Sequence, residues 1–191
     1  MRSILVLLIF LLMIESPVIA QKKKRRFNFH SINNIALVNG SNSVSAALQS
    51  IAGFSGTHLF AGVGVGLDYY LYRSVPVFMD LRYEWGNGSN KFFAYADAGI
   101  NFSWVQEDYL FEPIIWNGNS SNSFHHGLYT DAGFGYAVAM KKENALILSL
   151  GYSHKRLKEK VTHTDWRTQE WQTDNNIYGL NRIMIKAGWR F

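Results

Sequence analysis

The sequence predicts an all-β protein, an eight-stranded antiparallel up-and-down transmembrane β-barrel. Three observations carry this. In residues 177–191, Phe191, Trp189, Ala187, Ile185 and Ile183 alternate with Arg190, Gly188, Lys186, Met184 and Arg182. That is a period-two strand with one apolar and one mostly cationic face. The same alternation recurs upstream, where Gly, Asp, Asn and Ser collect on one face and aliphatic and aromatic residues on the other. Finally, no apolar run after residue 14 approaches the length of a membrane-spanning helix, so a crossing must be made by strands.

The N-terminus reads as an export signal. Arg2 precedes an apolar run over residues 4–14, and Val18, Ile19 and Ala20 form a cleavage site before Gln21. Residues 1–20 are therefore assigned as a signal peptide cleaved after Ala20, 21–29 as a basic periplasmic tail and 30–191 as the barrel domain. The tail carries Lys22, Lys23, Lys24, Arg25 and Arg26, a solvated cluster or one that meets anionic lipid headgroups. Charged residues make up 17% of the chain, below the roughly 25% usual in soluble domains. Aromatics reach 15%, and no cysteine is present, which excludes disulfides and thiolate metal sites. A sequence pI near 9.4 raises the question of nucleic acid. Export argues against that partner.

Taken in order, residues 30–38 and 46–54 form two strands of weak alternation. The third, 59–71, sets Leu59, Ala61, Val63, Val65, Leu67, Tyr69 and Leu71 against Phe60, Gly62, Gly64, Gly66, Asp68 and Tyr70. Its Gly-x-Gly-x-Gly sits inside a strand and lacks the spacing of a dinucleotide loop; glycines there let a small barrel bend. In 77–85, Val77, Met79, Leu81, Tyr83 and Trp85 oppose Phe78, Asp80, Arg82 and Glu84. After the turn at 86–90, strand 92–104 opposes Phe92 through Trp104 to Phe93, Tyr95, Asp97, Gly99, Asn101 and Ser103. A long loop at 106–123 leads to a strand at 125–140, where Asp131 and two glycines share a face. A tight turn at 141–144 precedes the strand at 146–153. A second long connection, 157–176, reaches the C-terminal strand. With both termini periplasmic, the short turns at 86–90 and 141–144 fall on the periplasmic side and the long loops outside the cell.

The faces decide between two eight-stranded architectures. A lipocalin-like barrel is apolar inside and charged outside. Here the faces fit the reverse, with Asp68, Asp80, Glu84, Asp97, Asp131, Arg82, Lys155, Arg182, Lys186 and Arg190 in the lumen. Five acids and five bases balance, so the expectation is a lumen plugged by ion pairs, with Asp80, Glu84 or Asp97 as partner of Arg182. Trp85, Trp189 and Phe191 at one rim, and Tyr69, Trp104 and Tyr152 at the other, match interfacial aromatic girdles.

The stretches 61–70, 74–83 and 95–102 resemble the small outer-membrane β-barrel proteins found in Bacteroidetes, an OmpA/OmpX-like eight-stranded barrel. The terminal Phe191, with Trp189, resembles the C-terminal assembly signal of such barrels. The resemblance implies location in the cell outer membrane. The partners it implies are outer-membrane lipid, lipopolysaccharide and the barrel-assembly machinery, met through the C-terminal strand. It implies little about activity.

An acyl hydrolase would need a serine and a histidine on one strand face, two residues apart or brought together from different strands. His30–Ser31 and Ser153–His154 are adjacent, so within a strand they point to opposite sides. His125 and His126 lie at a loop edge without a carboxylate at ligand spacing. Trp116, Trp166 and Trp171 suit either a glycan or protein ligand at the outer loops or loop packing. The expectation is a non-enzymatic structural or surface-interaction protein without a cofactor or metal. The alternative is a lipid A or phospholipid acyl-modifying enzyme. An open pore is disfavoured because eight strands leave an interior that side chains fill.

Overall fold

The computed structural model describes residues 27–41, 43–71, 73–104, 121–140, 144–164 and 170–191. The signal peptide, the basic cluster at 22–26, Trp116 and Trp166 lie outside the described residues, as do 106–120 of the first long loop and 141–143 of the tight turn. Nine strands are present among the described residues: β1 (Asn28–Gly40), β2 (Val44–Ser55), β3 (Leu59–Asp68), β4 (Ser74–Trp85), β5 (Lys91–Ser103), β6 (Ser121–His125), β7 (Gly127–Ala139), β8 (Ala145–Thr164) and β9 (Trp171–Arg190). All pairings are antiparallel, and β1 and β8 both pair with β9, which closes the sheet. Ser31 and Phe191 exchange backbone hydrogen bonds of 2.8 and 3.0 Å, so the seam is closed to the last residue.

The nine strands make eight staves. β6 lies against β8 with His125 opposite Lys158, and β7 continues along β8 with Tyr129 opposite Lys155. Three residues on one side thus face two on the other, which defines a β-bulge at His126–Leu128. Gly127 occupies it because a Cβ there would run into the Arg156 carbonyl.

Register fixes the barrel's shape. From His30 the row of paired residues runs through Gly53, Gly62, Asp80, Asp97, Asp131, Ser153 and Arg182. It then returns to β1 at Gly40, ten residues beyond its start. Eight staves with this stagger tilt by roughly 40° around a backbone radius of about 8 Å. Side chains from opposite walls meet across such a width.

Alternation assigns the faces. Along β3 and just past it, the outward Leu59, Val63, Val65 and Tyr69 are exposed, while Phe60, Gly64, Gly66 and Asp68 are buried. The outer surface is apolar on every stave, as with Met79 at 68% exposure, Phe134 at 69% and Ile185 at 58%. From Leu59 to Tyr69 the outward apolar positions rise about 25 Å along the axis at this tilt.

Several boundaries differ from the sequence expectation. β6 takes up the end of the loop read at 106–123, and the strand read at 125–140 is broken between β6 and β7. β1 begins at Asn28, inside the segment read as tail. β3 ends at Asp68; the chain then turns, with Leu71 at φ 61° and the Tyr70 amide donating to Asp68 Oδ1 at 2.9 Å. Most of the connection read at 157–176 is strand: β8 runs to Thr164 and β9 starts at Trp171, paired throughout. The hairpin, flanked by β6, stands above the barrel rim; Leu157 and Glu159 of β8 are still buried there, whereas residues 171–177 of β9 are exposed on both faces and need no apolar alternation.

Candidate functional site

Asp68, Asp80, Arg82, Glu84, Asp97, Asp131, Lys155, Arg182 and Lys186 are all buried inside the barrel, and Arg190 is partly buried at its terminal end. Each occupies the inward parity of its strand. The tilt of the rows arranges them in three tiers along the axis.

At the end that holds Asn28 and Phe191, Glu84 pairs with Arg190, and Lys91 Nζ lies 3.5 Å from the same carboxylate. In the middle tier Asp80, Asp97 and Asp131 are direct cross-strand neighbours. Like charges so placed repel, and two cations offset them. Arg82 donates to Asp80 from Nε and Nη2 at 2.8–3.0 Å in a fork geometry. Its guanidinium also lies 5.4 Å from the Phe93 ring centroid and 5.7 Å from that of Tyr95. Lys186 Nζ sits 2.5 Å from Asp131 and 3.6 Å from Asp97, over the Tyr95 ring at 4.4 Å. The Tyr95 hydroxyl donates to Asp131 at 3.1 Å.

In the far tier Asp68 accepts from two cations. Arg182 Nη1 bonds Oδ2, and Lys155 Nζ donates to the same oxygen at 3.1 Å. Lys155 also donates to the Tyr70 carbonyl and to Ser74 Oγ at 3.1 Å, and Arg182 Nη2 donates to Ser153 Oγ at 2.8 Å. The partner of Arg182 is therefore Asp68 and not Asp80, Glu84 or Asp97. Asp80 shares the paired row of Arg182, but the row climbs around the barrel, and Asp68 stands at Arg182's level on the facing wall.

Two interior polar groups, Gln49 and Tyr129, escaped the sequence reading. Gln49 donates to the Tyr129 hydroxyl at 2.9 Å, and Tyr129 lies against Phe78 with ring centroids 5.4 Å apart. Tyr95 and Tyr129 share parity with Asp97 and Asp131, which was a usable signal. Gln49 lay on a strand whose weak alternation hid its face.

Trp85, Trp189 and Phe191 point outward at the terminal end, near Tyr83, Phe92 and Tyr136. Tyr83 stacks on Trp85 and Trp85 on Phe92, with centroids 6.1 and 6.5 Å apart. At the far end Arg73 lies over both Tyr69 and Trp104, 5.7 and 5.8 Å from their centroids. Tyr152 sits one outward position below His154, registered with Ala132 and Ile183.

Ser123 and His125 are two apart on one exposed face of β6, but no hydrogen bond joins them. Ser153 and His154 do not form a dyad. Ser153 faces inward against Arg182, while His154 Nδ1 lies 2.7 Å from Asn181 Oδ1 on the outer side. His126 packs its ring on Phe102 at 4.6 Å, and His125 is registered with Lys158. Among the described residues no group of three or more histidine or carboxylate side chains is arranged to hold a metal ion. Trp171 is exposed at the start of β9.

Solved structures with the same closed sheet are small outer-membrane barrels. Neisserial surface protein A aligns at a TM-score of 0.56 and 14% identity, over 86% of this chain and 95% of that one. The fold is that of a small eight-stranded barrel. Outer membrane protein AlkL aligns at 0.51 and 10% identity over 93% of this chain and 95% of its own. A major outer membrane protein from Thermus thermophilus aligns at 0.51 and 11% identity over 86% of this chain and all of that one. At these identities the likeness is one of fold. No protein-family model matches the sequence, and no curated protein does.

Proposed function

We propose that this protein is an integral outer-membrane β-barrel that spans lipid with its outer face and closes its own interior with paired charges. It works without catalysis, as a structural or surface-interaction protein through its far-end loops. The observation that carries the reading is the inverted polarity of a closed barrel. Its outer wall is apolar over about 25 Å, the height of an outer-membrane barrel's lipid-facing band, while its charges are inside. In water that wall would be an aggregation-prone surface far larger than monomers tolerate. In lipid it is a solvated one.

The other parts follow from the same arrangement. Residues 1–20 serve export and are removed after Ala20. Trp85, Trp189 and Phe191 form the inner aromatic girdle, and Tyr69, Trp104 and Tyr152 the outer one. Phe191 and Trp189 also present the C-terminal strand to the assembly machinery. Phe191 exchanges backbone hydrogen bonds with Ser31, so this strand closes the seam with β1.

The test is folding into phospholipid vesicles. The mature chain should give a β-rich circular dichroism spectrum and migrate differently on gels when boiled and unboiled. A helical spectrum, or a monomer soluble at high concentration without detergent, contradicts the membrane-barrel reading.

A further inference from the structure

Above the apolar band, one outward face changes character abruptly. On β8 the outward positions run Leu146, Leu148, Leu150, Tyr152 and His154, then Arg156, Lys158 and Lys160. The three cations are exposed, stand on alternate residues and so project from one side about 7 Å apart. Their registered neighbours are neutral or weakly basic: Gly179, Ile177 and Asn175 on β9, His125 and Ser123 on β6. Among the described residues no carboxylate lies on this face of β6, β8 and β9. The nearest in sequence, Glu159, is buried on the opposite face, where it accepts from the Tyr178 hydroxyl at 2.8 Å.

A run of surface cations is ordinarily just solvated. Two features separate this one. Intervening Glu159 is turned away, so the charge is neither neutralised along the strand nor across it. The comb also begins directly above the apolar wall, level with Arg73 in the far-end aromatic rim, and continues up β8 with its side chains on the outward face. Lipid surrounding the barrel carries its headgroups at that height.

We infer that Arg156, Lys158 and Lys160 form a docking comb for the phosphorylated sugar headgroups of outer-leaflet glycolipid. This rests on the outer-membrane reading proposed above. The lipid's acyl chains lie against Leu148, Leu150 and Ile185, while its phosphates meet the comb. Arg and Lys near an anionic membrane surface each contribute about a fivefold gain, so three give on the order of a hundredfold. The contact holds the β8–β9 hairpin upright beside the lipid rather than leaving it free in solvent.

The experiment uses the folded chain in zwitterionic detergent. It is titrated with fluorescently labelled diphosphoryl lipid A, then with the same lipid stripped of its phosphates. The wild type should bind the phosphorylated form on the order of a hundredfold more tightly, an advantage that shrinks with salt. The R156Q/K158Q/K160Q variant should lose that preference, and K158Q alone should lose about fivefold of it. Millimolar inorganic phosphate should not displace the lipid. Equal affinity for the two lipids, full preference in the triple variant, or displacement by inorganic phosphate would each overturn the inference. Unboiled gel mobility is scored on the same samples. A chain that never reaches the folded form contradicts the membrane-barrel reading itself, whereas a folded chain indifferent to phosphate contradicts only the comb.

Discussion

Asp68 is the single anion of the far tier among the described residues and faces two cations, Lys155 and Arg182. Removing Arg182 leaves Asp68 paired with Lys155. Removing the charge of Asp68 leaves two buried cations with only neutral oxygens around them. Breaking a buried pair from one side costs about 3–5 kcal/mol. Asp68→Asn should therefore be the more damaging change, Arg182→Met the milder, and the double variant should recover part of the loss. Urea unfolding from lipid vesicles, followed by the unboiled band, measures all three. An Asp68→Asn protein as stable as wild type would mean that water reaches this tier. The ten inward charges were legible from parity along each strand, because an ionisable group opposite a purely apolar face has one place to go. Their pairing was not. Arg182 and Asp68 are 114 residues apart in sequence, and they meet only through a ten-residue stagger that is a property of the closed sheet.

At the scale of elements, glycine does different work at different places. A methyl group on Gly127 would strike the Arg156 carbonyl at the bulge, whereas one on Gly179 would meet His154 at 3.6 Å, an ordinary contact. Gly127→Ala should cost about 1–3 kcal/mol through displaced backbone. Gly179→Ala should be neutral or stabilise by up to roughly 1 kcal/mol, since a strand glycine loses more entropy on folding. Equal effects in thermal unfolding would count against the bulge. The middle strands were readable because lipid-side and interior positions alternate cleanly there. The upper part of the β8–β9 hairpin was not, since Lys158, Glu159, Lys160, Thr162, Thr173 and Asn175 carry no apolar side. Where polar residues fill both faces, the buried Glu159 included, the period-two signal vanishes while the hydrogen-bonded ladder persists. β1 and β2 were faint for a related reason. Outward Asn33 and Ser50 are polar, and inward Ala36 and Ala47 are apolar, which blurs both faces.

For the molecule as a whole, the tiers determine what the barrel can transmit. Arg82 with Asp80, Lys186 with Asp97 and Asp131, and Arg182 with Lys155 and Asp68 follow one another along an interior of about 8 Å backbone radius. Large aromatic side chains, Phe60, Phe78, Phe93, Tyr95 and Tyr129, fill the space between. Planar bilayers containing the wild type should show no steady conductance, and stable open channels would refute a plugged interior. The central claim is that lipid, not water, covers the outer wall. Because the chain has no cysteine, single cysteines can be placed at will and spin-labelled. Labels at Val63, Leu150 and Ile185 in reconstituted vesicles should be accessible to oxygen and shielded from a water-soluble nickel chelate, while one at Lys160 should show the reverse. Ready nickel access at Val63, Leu150 and Ile185 would contradict the account.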